Sequence, residues 1–418
     1  ILVLQLDSSG STQWTFQTGS LSNEYVYDLK LDASNDIVLA GATWGQLGSS
    51  SNAGDSDIYV MKLNNAGSSQ WVFQTGTTGS DQGKHLGIDS SGNILVGGWT
   101  NGDLGNTNQG STDIFVMQLN SAGTQQWTFQ TGTEGDDYIR GLAIGTFNII
   151  LGGTTTSAWH GSCNRGGEDL FIMELDSDGS SVQKIFQTGS SSADTLEGLV
   201  LNADEAVILA GYSYGDLGGS NAGSGDAFVM KVQQLSWTFQ TGTSGADGAN
   251  ALQIDSSGNI FLTGETNGAL DGSVSSGDSD LFVMKLDSTG SRQWTYQTGS
   301  TAQDTAEAIH LAASGSIFVA GWTAGDLSGT SAGNFDILVM KLDDTGSQQW
   351  TYQTGTASAD YAFAVETDAS GNILLAGSTD GSMQGSNAGD SDIFVMQLDS
   401  AGSHQWTVQI GSNLKDVA

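Results

Sequence analysis

"ALQIDSSGNIFLTGETNGALDGSVSSGDSDLFVMKLDSTGSRQWTYQTG", residues 251–299, holds four short apolar runs, each closed by Gly, Asn, Asp or Ser. Runs rich in Ile, Val, Leu, Phe and Trp between such turn residues read as β-strands. They predict strands at 251–259, 259–266, 280–287 and 293–299. The "DSSGN" and "DSTGS" links supply the Asp and Gly that tight hairpins require. The second and third runs are apolar on consecutive residues, which predicts burial on both faces of the sheet.

The same text recurs along the whole chain. The tryptophan of "RQWTYQTG" has counterparts at Trp14, Trp71, Trp127, Trp237, Trp350 and Trp406, with Lys184 in "QKIFQTG" filling the remaining place. Successive marks lie 57, 56, 57, 53, 57, 56 and 56 residues apart. The short interval reflects "KVQQLSW", which lacks the Asp–Gly turn of its counterparts. A fixed period of this length denotes a repeat architecture, and four-stranded units stacked face to face make a β-propeller. Each tryptophan is expected to fill the gap between neighbouring blades and to donate its indole N–H to a carbonyl. The Lys184 interface is expected to be filled differently.

The third and fourth strands occur eight times and the first and second seven times. The expected fold is therefore all-β: a seven-bladed propeller at 21–411, an extra N-terminal half-blade hairpin at 1–20, and the start of a further repeat or a tail at 412–418. Eight blades completed by strands beyond this sequence are the alternative. A third possibility is that the spare hairpin pairs with another chain, since an exposed strand edge templates strand addition.

Composition narrows function. Eleven basic against 46 acidic residues give a net charge of −35, which repels nucleic acid and anionic lipid. Proline is absent, so the turns rest on Gly, Asn and Asp. One cysteine, Cys163, excludes an internal disulfide and any multi-thiolate zinc site. No apolar run reaches transmembrane length, so direct membrane insertion is not expected.

Acidic residues are the polar group that repeats with the blades. One set precedes the third strand (Asp57, Asp113, Asp169, Asp226, Asp280, Asp336, Asp392). The other precedes the first strand (Asp81, Asp137, Asp194, Asp247, Asp304, Asp360, with Glu24 in the odd blade). Antiparallel alternation places both sets on one side of the blades, giving a double row of carboxylates. Such Asp residues cap loop N–H groups, and the competing reading is calcium bridging by hard oxygen ligands. "GYSYG" (211–215) matches a nucleophile elbow, but "GWTNG" and "GETNG" recur in its place, so Ser213 is expected to end a strand. The divergent loop "AWHGSCNRGGED" gathers His160, Cys163 and Glu168, the place to look for a private site of one blade.

Residues 246–294, "ADGANALQIDSSGNIFLTGETNGALDGSVSSGDSDLFVMKLDSTGSRQW", closely resemble the bacterial β-propeller repeat called SBBP, and the likeness extends over the whole chain. The "FP" usual in that repeat after the G-x-T strand is replaced here by variants of "GDLGGSNAG". The resemblance implies a large secreted or surface protein and no catalytic residue. "KLDSTGSRQWTYQTG" (285–299) is also similar to the tryptophan-docking stretch of quinoproteins, without the vicinal cysteines often found there. The expected function is thus a non-enzymatic extracellular or cell-surface scaffold, part of a surface or filament-forming protein, acting through self-association or contacts with other proteins. Alternatives are a glycan- or protein-binding propeller, with calcium as its one possible cofactor, and a quinoprotein-like enzyme.

Overall fold

The computed structural model describes residues 1–159, 162–232, 237–412 and 416. Among the described residues thirty strands form one two-stranded and seven four-stranded antiparallel sheets, and the only helical turn is Leu270–Gly272. The N-terminal hairpin pairs Leu2–Leu6 with Thr12–Gln17. Blades 1 to 7 follow at 24–75, 81–131, 137–188, 194–241, 247–298, 304–354 and 360–410, each with its four strands in sequential order. These are the blades of an all-β propeller with a half-blade before them. The chain comprises two compact units, residues 1–199 and 200–418.

Blade 5 shows how the sequence dictates the unit. In the turn after its third strand, the Asp287 carboxylate accepts from the backbone N–H of Thr289 (2.9 Å) and Ser291 (3.0 Å). Gly290 closes the turn at φ 83°, a conformation glycine adopts without strain. The second strand (Ile260–Thr266) and third strand (Asp280–Leu286) are buried at every position but one. Phe282, Met284 and Leu286 join Ile260 and Leu262 and pack against Ile208, Ala210 and Val229 of blade 4. Burial on both faces explains why these runs are not alternating in polarity.

The tryptophans lie on the fourth, edge strand and reach the next hairpin. Trp71 covers Gly123, Trp237 covers Gly290, Trp294 covers Gly346 and Trp350 covers Gly402, leaving no room for a Cβ at those turns. The indole N–H of Trp14, Trp71 and Trp294 donates to the carbonyls of Asn65, Ser121 and Asp344 at 3.0–3.2 Å. The expected donation fails at Trp237 and Trp350, whose buried Nε1 atoms have no acceptor among the described residues. Ring-to-turn packing is therefore the shared role, and the hydrogen bond accompanies it in only some blades. The turn missing from "KVQQLSW" falls partly on 233–236, outside the described residues.

The first strand is longer than its apolar residues suggest. In blade 5 it starts at Asp247 rather than at 251, because "DGA" already pairs with the second strand. Asp416, the one described residue after Ser412, accepts from the N–H of Ser412 (2.6 Å) and donates its own N–H to the Ser391 carbonyl (2.8 Å). Asp360 does the same with Thr356 and Phe335. Asp416 thus occupies the position of a first-strand aspartate, while 413–415 and 417–418 of the expected tail lie outside the described residues.

Candidate functional site

The two sets of carboxylates meet in pairs where one blade joins the next. Gly76 sits between Asp57 and Asp81, and Gly132, Gly189, Gly242 and Gly355 sit likewise between Asp113 and Asp137, Asp169 and Asp194, Asp226 and Asp247, and Asp336 and Asp360. This is the meaning of "QTG". At the second junction, Gln130 donates from Nε2 to Asp113 (3.1 Å) and to the Gly102 carbonyl (2.9 Å), while its Oε1 accepts from the N–H of Leu104 (2.7 Å). Asp137 accepts from the N–H and hydroxyl of Thr133 at 2.6 and 2.9 Å. Asp280 and Asp304, and Asp392 with Gln409, repeat the arrangement, and Glu24 takes the first-strand part in blade 1.

Buried carboxylates cannot form the open acidic face expected for calcium bridging. Every aspartate of the two sets is at most 2% exposed. Burial is the largest influence on Asp81, Asp137, Asp247, Asp304 and Asp360 and raises their pKa, against the pull of their threonine or serine hydrogen bonds. Among the described residues no cluster of three or more His, Cys, Asp or Glu could hold a metal. The junction donors named above are N–H and O–H groups of the chain.

What the repeat does not hold constant is more informative. In six blades the first strand has a β-bulge three residues after its leading acid, at Tyr27, Lys84, Arg140, Asn250, Glu307 and Phe363. The bulge presses the carbonyl of Gln82 onto Gly98, and those of Tyr138, Gly248 and Thr305 onto Gly153, Gly264 and Gly321. That close approach requires the glycine of every "G-x-T". A bulge frees one side chain from the ladder and re-aims it, which is why bulges gather next to binding sites.

In residues 1–199 these freed side chains line a pocket of about 440 Å³. Its wall combines Tyr27, Lys84 and Arg140 with Trp99, the "x" of its G-x-T, and with Tyr138 and Glu197. Lys84 Nζ lies 3.3 Å from the centroid of the Tyr27 ring, and Trp99 meets Tyr138 edge to face at 5.9 Å. Burial, with the Arg140 guanidinium adding repulsion, lowers Lys84 to about 8. Burial also lowers the pKa of His85, which lines the same pocket. In residues 200–418 the bulge chemistry is different: Asn250 donates to Glu265 (2.8 Å), Glu307 accepts from Trp322 Nε1 (3.0 Å), and Phe363 stacks with Tyr361. A wider polar depression of about 720 Å³ in that unit is bordered by Asp380, Gln384, Asn387 and His404, and no lysine or arginine among the described residues lines it.

The remaining sequence candidates separate. Ser213 is buried at the end of its strand, its hydroxyl donating to the Gly215 carbonyl at 2.9 Å. Its counterparts Thr100 and Thr266 donate to Asp81 and Asp247. Cys163 is exposed and free, Glu168 receives the Asp194 N–H on its backbone carbonyl, and His160 lies outside the described residues. The bulge residues escaped the sequence reading, since "DQGKH", "DYIRG" and "DGANA" look like links; aligning the repeats shows this position changing charge from blade to blade.

Comparison with known proteins bears on the repeats. The β-propeller repeat family model SBBP matches at 70–106 and 236–270. The Regulatory protein FlaEY of Caulobacter vibrioides is 26% identical over 175 residues, 37% of this chain. The match spans only 18% of that protein's length. Among solved structures, a europium-containing methanol dehydrogenase aligns with a TM-score of 0.53 at 10% identity, over 99% of this chain and 82% of its own. A puromycin hydrolase S511A mutant complexed with PGG aligns at 0.50 with 8% identity, over 92% of this chain and 53% of its own. At these identities the likeness is one of fold. Thirty strands among the described residues make the seven blades and half-blade of a β-propeller, and two stretches of the chain match the SBBP repeat model.

Proposed function

We propose that this chain is a non-catalytic scaffold module, working outside the cell or at its surface through contacts between proteins. The observation that supports it most is an apolar strip on the first strand of blade 1. Leu29 and Leu31 are 45% and 58% exposed, and Tyr25 and Val26 lie exposed beside them. Leu86 and Leu252, which hold the place of Leu29 in blades 2 and 5, are 3% and 8% exposed. In blade 2 this strand packs against the first three strands of blade 1, while the sheet that comes before blade 1 in the given sequence has two strands. Contiguous exposed apolar surface of this kind marks a protein interface.

The occupant we assign is a second copy of the chain. Among the described residues the strand Leu2–Leu6 pairs only with Thr12–Gln17, and two such hairpins joined antiparallel at that edge make a four-stranded sheet, the size of a blade. A net charge of −35 suits a saline exterior. Sedimentation velocity tests the reading. The wild type should dimerise with rising concentration, and Leu29→Asp/Leu31→Asp should stay monomeric with an unchanged circular dichroism spectrum. A wild type that stays monomeric would sink it.

A second reading, a propeller that binds a small ligand or glycan, is favoured by the pocket at the bulge residues. Its framework is uniform and its variable side chains converge.

A further inference from the structure

The chain has 11 basic residues, and two of them, Lys84 and Arg140, are the bulge residues of adjacent blades facing one pocket. Folding does not require them there, because Asn250, Glu307 and Phe363 hold the same bulge in blades 5 to 7. Setting two cations side by side is unfavourable, and the repulsion acts on Lys84. In a chain with 46 acidic residues, a local excess of positive charge beside three aromatic rings has the character of a recognition site.

We propose that this pocket, in keeping with the ligand-binding reading, takes a monoanionic sugar acid of the uronic class, its carboxylate held by Arg140 and Lys84 and its ring against Trp99 and Tyr138. A guanidinium presents paired N–H donors that match a carboxylate. Indole and phenol faces supply the flat apolar wall that the C–H face of a sugar ring covers. Glu197 lines the same pocket and accepts hydrogen bonds from sugar hydroxyls. Two cations against one carboxylate leave one net positive charge, which a single carboxylate neutralises and a dianionic phosphate overshoots. The volume falls within the roughly 300–1,000 Å³ of small-molecule sites.

The test is a titration of the full chain with glucuronate, glucose and inorganic phosphate, following the indole N–H resonance of Trp99, assigned by its loss in Trp99→Phe. Glucuronate should shift that resonance saturably, with glucose weaker by about tenfold or more, the loss expected for a missing charged hydrogen bond. Arg140→Gln and Lys84→Gln should each weaken glucuronate to a similar degree while keeping the unfolding midpoint. Equal binding of glucose would overturn the proposal. Tighter phosphate binding that depends on Arg140 would also overturn it, and would leave the ligand-binding reading standing. If none of the three moves the Trp99 resonance, both fall together.

Discussion

The junction between blades and the bulge of the first strand lie within a few residues of each other, and they behave in opposite ways. At the junction, Asp113, Gln130, Gly132 and Asp137 are each fixed by a partner that the next blade supplies again. At the bulge, three residues on, the chain writes Tyr27, Lys84, Arg140, Asn250, Glu307 or Phe363 on the same backbone. Recurrence therefore marks what the fold needs. Departure from recurrence, at a place where the backbone is still regular, marks where the side chain is free to serve something else.

Removing a junction acid is the harshest way to break this contrast. Asp113 is fully buried and accepts from the Gln109 N–H (3.1 Å) and from Gln130 Nε2 (3.1 Å). Asp113→Ala leaves the Gln109 N–H without its acceptor and Gln130 Nε2 with only the Gly102 carbonyl, and should cost about 3 kcal/mol. A urea titration would register it as a lower midpoint at unchanged slope. A loss below about 1 kcal/mol would mean that water satisfies the junction, and the claim that recurrence here serves folding would fail.

Between these extremes stand the tryptophans, alike in sequence and unlike in bonding. Trp294 covers Gly346 and donates to the Asp344 carbonyl, whereas Trp350 covers Gly402 with its buried N–H unpaired. Trp294→Phe should cost about 1 kcal/mol more than Trp350→Phe, the net worth of one hydrogen bond. Equal losses in paired thermal melts would show that ring packing alone sets the interface.

Most of the fold is legible because each structural demand leaves a residue type behind. Double-sided burial wrote "LFVM", the tight turn wrote "DSTG", and a step of 53–57 residues repeats both. The first strand was read four residues short, since Asp247 and Gly248 pair through backbone with little apolar surface to signal it. The acids were legible as a set and misread as a surface. Sequence shows that an aspartate recurs, but the glutamine that buries it comes from a different strand, 17 residues away for Asp113 and Gln130. The pocket was illegible for a deeper reason. Lys84 and Arg140 are separated by a full repeat, and only the bulge turns both into the same space.

The mildest perturbation sharpens the contrast most, because it compares adjacent residues. In blade 7, Ala362 is fully buried in the core and Phe363, at the bulge, is 38% exposed. Phe363→Arg copies the residue that blade 3 carries at this place and should change stability by no more than about 0.5 kcal/mol. Ala362→Arg drives a charge between Phe394 and Val365 and should cost about 3 kcal/mol or more. Chemical denaturation of the two variants separates the readings. If Phe363→Arg is as damaging as Ala362→Arg, the bulge belongs to the framework and its variation from blade to blade reflects local packing. If it is silent, the seven-bladed scaffold tolerates any side chain there, and the chemistry gathered at Tyr27, Lys84 and Arg140 is there for a partner.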